Sequence, residues 1–296
     1  MIRAFKSEKK KQEVYKSYDG LLTQWDTALE EKDIKGRYGT THIICAGDPN
    51  NMPLLLFHGV GDNSAIMWIY NAKEFAKEYY VIAVDVIGGA GKSVSNDTYT
   101  EGFDQIIWIT ELLDVLKLDK VYAAGVSYGC YLVQLFKCKL PERFIKIAGL
   151  AGGPASSEFS KPNSGLKSIL IFLPEALFPT KSNCIRLLKK LTGDGGEAFI
   201  HNSLLLDHWF LLLNAFNNSS MMKHPVKPIN KEDFNIPRDE GLFLIGDKDR
   251  IAYSEESIRA SDALNINYMI IKGAGHSINH EQPELINRLI MEFLRC

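Results

Sequence analysis

Short, mainly apolar runs alternate along this chain with longer stretches in which apolar residues recur every three or four positions. The runs lie at 53–57, 80–85, 120–124, 144–150, 241–246 and 268–271. A continuous apolar run of this length predicts a strand buried on both faces, as in a parallel sheet. The stretches between them, at 65–78, 103–116, 130–140, 254–264 and 283–294, predict helices; Ile106, Ile109, Leu113 and Leu116 share one face of the second. Strands and helices in strict alternation, with short connections, predict a doubly wound, mostly parallel sheet.

Two regions depart from that rhythm. Before it, residues 8–30 read as one or two amphipathic helices outside the main fold. Residues 33–45 read as a β-hairpin, with alternating and β-branched residues and a turn near Gly39. The second departure begins near Gly152. From there to about residue 238 no strand pattern appears, and the helical pattern is broken by Pro162, Pro174, Pro179 and Gly193-Asp194-Gly195-Gly196. The organisation this implies is one α/β core domain, 1–151 and 239–296, with a helical cap insertion at 152–238.

Composition narrows the function classes. Net charge is −2, from 34 basic and 36 acidic residues, so nothing electrostatic calls for nucleic acid or an anionic membrane. No apolar run reaches the ~18 residues of a membrane span, and the basic N-terminus is not followed by the apolar segment of a secretory signal. Five cysteines at 45, 130, 138, 184 and 296 are widely spaced and odd in number, which predicts reduced thiols in a cytoplasmic protein.

The chemistry concentrates where predicted strands end. Gly125-Val126-Ser127-Tyr128-Gly129 lies between a strand and a helix, the setting of a nucleophile elbow. Its corner would lift the Ser127 hydroxyl out of the sheet at a helix N-terminus, where developing negative charge is favoured. His276, in the Gly273-Ala274-Gly275-His276-Ser277 loop after the last strand, is the candidate general base. An acid to orient it would come from Gly246-Asp247-Lys248-Asp249, where both aspartates are available. The order Ser…Asp…His is that of elbow hydrolases. In His58-Gly59-Val60-Gly61 the backbone N–H of Val60, with that of Tyr128, would form an oxyanion hole; His58 itself reads as a structural hydrogen-bonder.

Two other patterns lead elsewhere. Gly88-Gly89-Ala90-Gly91-Lys92-Ser93 has the look of a phosphate-binding loop, but Val86 stands where that motif needs its first glycine. His276 and His280 are four apart, yet Ser277 occupies the place of a zinc protease's glutamate. No metal and no cofactor are implied.

The motifs at 58–61, 125–129, 246–249 and 275–276 together resemble those of the α/β-hydrolase fold. With the Arg37-Tyr38-Gly39-Thr40-Thr41-His42 hairpin, the pattern is similar to bacterial carboxylesterases of the naproxen-esterase type. The resemblance covers about 33–151 and 240–296. It implies a sheet of about eight strands, a serine hydrolase acting on small-molecule esters, and an acid in the fourth position of Gly-x-x-Asp, which is Asp249. Cys130 stands where many relatives have a second glycine. Epoxide hydrolases and haloalkane dehalogenases of this fold carry aspartate at the elbow, so Ser127 argues against both. Lactone, thioester, amide or carbon–carbon hydrolysis on the same triad, or a slow-turnover ligand receptor, are the alternatives. The insertion would cover the sheet edge where the serine points, and its apolar run at 204–216, followed by Met221 and Met222, predicts a substrate pocket lined by Trp209, Phe210, Leu213 and Met221.

Overall fold

The computed structural model describes residues 3–159, 175, 177–252 and 255–296; Pro162, Pro174 and the predicted helix start at 254 lie outside them. The strands are β1 (Leu29–Gly36), β2 (Gly39–Ala46), β3 (Pro53–Phe57), β4 (Tyr80–Val84), β5 (Val94–Ser95), β6 (Val121–Val126), β7 (Phe144–Leu150), β8 (Gly241–Gly246) and β9 (Asn267–Ile271). They form one sheet in the order β1-β2-β4-β3-β6-β7-β8-β9, with β5 paired to β2. β1, β2 and β5 pair antiparallel, as does β2 with β4; every pair from β4 through β3 to β9 is parallel.

Alternate residues of the central strands enter two separate cores, one on each face. Leu54 and Leu56 join one, Leu55 and Phe57 the other; Leu242 and Leu244 oppose Phe243 in the same way. Burial on both sides is why these runs contain so few polar residues. From β3 the chain first moves outward to β4, then returns past β3 to β6. The strand order therefore reverses between β3 and β6, and a crevice opens outside the carboxyl ends of strands at such a point. Those two strands lead into His58-Gly59-Val60-Gly61 and Ser127.

The helices are α1 (Glu8–Leu22), α2 (Ser64–Met67), α3 (Ala72–Phe75), α4 (Gln105–Val115), α5 (Tyr128–Lys139), α6 (Lys181–Leu191), α7 (Gly196–His201), α8 (Ser203–Ala215), α9 (Glu255–Ala263), α10 (Ile278–Glu281) and α11 (Pro283–Arg295). Between β7 and β8 the described residues hold α6, α7, α8 and a 3₁₀ turn at Asn218–Lys223, with no strand.

Several expectations need correction. The N-terminal segment is not outside the fold. It forms one helix, α1, with Val14, Tyr18 and Leu21 fully buried beside Trp25. Each such side chain contributes about 1.5–3 kcal/mol on burial, enough together to hold a helix whose polar face alone suggested a solvated appendage. The hairpin turns at Arg37–Tyr38, with Gly36 paired to Gly39, and β1 begins earlier, at Leu29. The helix predicted at 65–78 is two short ones, because the Asn71 side chain turns inward to bond Asn287 (2.7 Å) and Asn279 (3.3 Å). On α4 the buried stripe runs through Trp108, Ile109, Leu112 and Leu113, leaving Ile106 and Leu116 half-buried at its margin.

The glycine-rich loop after β4 closes on a carboxyl group of the protein's own. Asp85 accepts hydrogen bonds from the Lys92 N–H (2.7 Å), the Ser64 N–H (2.9 Å) and the Tyr18 hydroxyl (3.0 Å). Gly91 lies so close that a Cβ there would collide with the Asp85 carboxyl. The space a phosphate would take is filled by that side chain.

Candidate active site

Ser127 sits between β6 and α5 with φ 56° and ψ −110°, a backbone conformation that L-residues rarely hold. Glycines on both sides make the corner possible. A Cβ on Gly125 would strike the Gly129 carbonyl, and one on Gly129 would strike that of Phe57. The strand–helix turn is thus tight enough to hold the serine half-buried at the head of the sheet, at the N-terminus of α5.

The loop after β3 lies alongside. A Cβ on Gly59 would be 3.4 Å from the Ser127 Cβ, and Val60 is 58% exposed at the loop's tip. His58 is fully buried and fixes that loop: its Nε2 accepts from the Val86 N–H (2.9 Å), which leaves Nδ1–H to donate to the Gly59 carbonyl (2.8 Å). Tyr128 is held through its ring. Its hydroxyl donates to His224 Nδ1 (2.6 Å) and accepts from Gln105 (3.2 Å), while His224 Nε2–H donates to the Ile87 carbonyl (2.7 Å).

At the ends of β8 and β9 the structure joins Asp249 to His276. The His276 Nδ1–H donates to Asp249 Oδ2 at 2.8 Å; the His276 side chain is 13% exposed and that of Asp249 is 0% exposed. Burial pushes the Asp249 carboxyl up, but His276 and the backbone N–H groups of Ala252 and Ile251 outweigh it and hold the carboxyl below its usual range. Asp247 faces another way and accepts the Gly273 N–H at 2.7 Å.

The loop carrying His276 is bolted from two directions. Glu281 accepts from the Gly193 N–H (2.6 Å) and the Gly275 N–H (2.9 Å), and the His276 N–H donates to the Leu191 carbonyl (2.6 Å), tying the loop to the end of α6. Asn279 donates to the Met67 carbonyl (2.6 Å) and His280 Nε2–H to that of Ile66 (2.9 Å), tying it to α2 beyond the His58 loop. Cys130, where a second glycine was expected, packs its sulfur into space left by Gly149 and Gly152.

The four pocket residues are not gathered alike. Trp209 reaches the carboxyl of Asp62, which adjoins the His58–Gly61 loop, and its ring meets Phe199 edge-on at 6.5 Å. Phe210 and Leu213 are half-buried against the core, and Met221 is buried. His208, a polar residue within the apolar run of α8, is buried and bonded: Nε2 accepts from Asn63 (3.0 Å) and Nδ1–H donates to Ser17 (2.9 Å). Sequence reasoning missed Asp62, Glu281, His224 and Asn279. An acid inside a glycine-rich apolar loop was a readable signal for the first; the others acquire their roles only through distant partners.

Three of these histidines make the fold acid-sensitive. Burial pushes His208 down to about 3 and His224 and His280 down to about 4, from an ordinary 6.5. Their depressed folded values mean that the unfolded chain binds protons first as pH falls. Their contribution is complete above pH 6.5 and is lost between there and about 4 for His224 and His280, and about 3 for His208. At 1.36 kcal/mol per unit, each of the latter two is worth on the order of 3 kcal/mol, against a typical total of 5–15. Urea midpoints measured from pH 7.5 to 4.5 are expected to drop steeply below 6.5; a flat profile would show that these rings protonate in place.

Comparisons with known proteins bear on the fold. The family model described as the alpha/beta hydrolase fold matches residues 52–183. An uncharacterized carboxylesterase, nap, of Bacillus subtilis is 26% identical over 95% of this chain and 92% of its own length. Carboxylesterase YbfK of the same organism is 24% identical over 95% and 93%. The crystal structure of Bacillus subtilis naproxen esterase superposes with a TM-score of 0.77, at 24% identity over 98% of this chain and 99% of that one. The chain has the α/β-hydrolase fold. Among proteins of that fold it resembles the bacterial carboxylesterases of the naproxen-esterase type. No helix among the described residues is long and apolar enough to cross a membrane.

Proposed function

We propose that this protein is a serine carboxylesterase. Ser127 attacks the acyl carbon, His276 takes its proton and returns it to the leaving alcohol, Asp249 holds the imidazole with Nε2 free to act, and water releases the acyl-enzyme. The N–H groups of Val60 and Tyr128 bind the oxyanion, each typically worth ~3–4 kcal/mol in the transition state. The observation that carries this reading is the 2.8 Å Asp249–His276 bond at the same sheet edge as a serine held at φ 56°. The carboxylesterase names of the full-length relatives favour ester over other acyl bonds. A fluorophosphonate probe tests it: labelling on Ser127 is expected, and an intact, unlabelled protein would end the proposal.

The segment 152–238 acts as the cap, and α8 supplies part of the pocket. Uncharged esters of short to medium chain are the substrates expected. A buried methylene is worth ~0.8 kcal/mol, so kcat/KM should rise several-fold per carbon until the pocket is full. Rates for p-nitrophenyl acetate, butyrate and octanoate, with and without Trp209→Ala, check this. A flat series that the substitution leaves unchanged would place the pocket away from α8.

A further inference from the structure

The mechanism just proposed makes no use of Asp62, although this carboxyl lies two residues beyond Val60. Its Oδ1 is shut off from solvent and has no hydrogen-bond partner among the described residues. Neighbours converge on it from three elements. The Trp209 indole approaches from α8, the Asn63 backbone N–H from its own loop, and His276, within electrostatic reach, from the loop after β9. Next to it, Gly61 packs toward Phe216 (3.9 Å from an added Cβ). An acid is an expensive residue to place here, since a buried polar atom left unpaired costs about as much as a lost hydrogen bond.

Resting on the esterase reading, we propose that Asp62 is a specificity-determining residue, and that its unsatisfied oxygen takes a hydroxyl group carried by an uncharged ester near the scissile bond. A hydroxyl fits better than the alternatives. An ammonium group would compete with the imidazolium that forms on His276 during turnover. An anion would be repelled whenever Asp62 ionises. Burial pushes the Asp62 carboxyl up to about 7, with the Trp209 and Asn63 N–H groups and His276 opposing, so near neutrality it is shared between acid and carboxylate. A hydroxyl can donate to the carboxylate or accept from the acid, and so serves both forms.

The test compares ethyl butyrate, ethyl 3-hydroxybutyrate and ethyl 3-aminobutyrate by pH-stat, in the wild type, Asp62→Asn and Asp62→Leu. In the wild type the hydroxy ester is expected to exceed ethyl butyrate by roughly five- to tenfold in kcat/KM, the worth of one hydrogen bond to a buried partner. That ratio should fall to about one in Asp62→Leu, whatever happens to the absolute rates, and stay above one in Asp62→Asn, whose amide still bonds a hydroxyl. A wild-type ratio at or below one, or one that Asp62→Leu leaves intact, overturns the assignment even while ethyl butyrate is hydrolysed. Preference for the amino ester overturns it in favour of a cation site. Failure to turn over any of the three, with Ser127 unlabelled by fluorophosphonate, removes the esterase reading and this inference together.

Discussion

Ser127→Ala will fold like the wild type and lose activity by a factor on the order of 10⁵–10⁶. The loss follows from removing the proposed nucleophile of a triad whose members would act as a unit. Retention of the fold follows from the backbone: Ser127 carries φ 56° at a corner fixed by Gly125, Gly129 and the Ser127 N–H bond to the Leu150 carbonyl (2.9 Å). Alanine has the same Cβ and meets the same strain. Glycine does not, so Ser127→Gly should be equally inactive yet more stable than Ser127→Ala by about 1 kcal/mol. Ester turnover and urea midpoints on the three proteins check both halves. More than about a tenth of the wild-type rate in either variant would remove Ser127 from the mechanism.

The second large effect separates two neighbouring aspartates. Asp249 Oδ1 accepts the N–H groups of Ile251 (2.8 Å) and Ala252 (2.9 Å), and Oδ2 accepts the His276 Nδ1–H. In Asp249→Asn the amide oxygen will stay with the two backbone donors, because an NH₂ there would face N–H groups. The NH₂ then meets His276 Nδ1 and forces the proton onto Nε2, the nitrogen that must be free to act as base. A loss of ~10⁴ in kcat is expected from this tautomer reversal. Asp247→Asn keeps an oxygen for the Gly273 N–H, its 2.7 Å partner, and should cost little. Steady-state kcat for both variants decides; the reverse ranking would transfer the role to Asp247.

The parallel strands were legible in the sequence because burial on two faces leaves no room for polar residues: the predicted runs at 53–57, 144–150 and 241–246 coincide with β3, β7 and β8. The Gly-x-Ser-x-Gly corner was legible for a related reason. Only glycine fits where a Cβ would strike a carbonyl, so tight backbone geometry leaves a mark on residue type. Periodicity failed where a segment's fate depends on a remote partner. The polar residues of α1 hid a buried stripe, and Asn71 broke a helix to meet Asn287, which lies 216 residues away.

Local sequence determined which residues could do chemistry here, since strand ends, glycine corners and the Ser…Asp…His order are short-range features. Tertiary structure decided how those groups are oriented. It gave Asp249 to His276 and Asp247 to Gly273, turned the glycine-rich loop onto Asp85, fastened the His276 loop to α6 through Glu281, and left one oxygen of Asp62 unpaired beside the site. Each of these depends on hydrogen bonds whose partners come from separate strands and loops, and a side chain's direction is fixed only when the sheet brings those partners within about 3 Å.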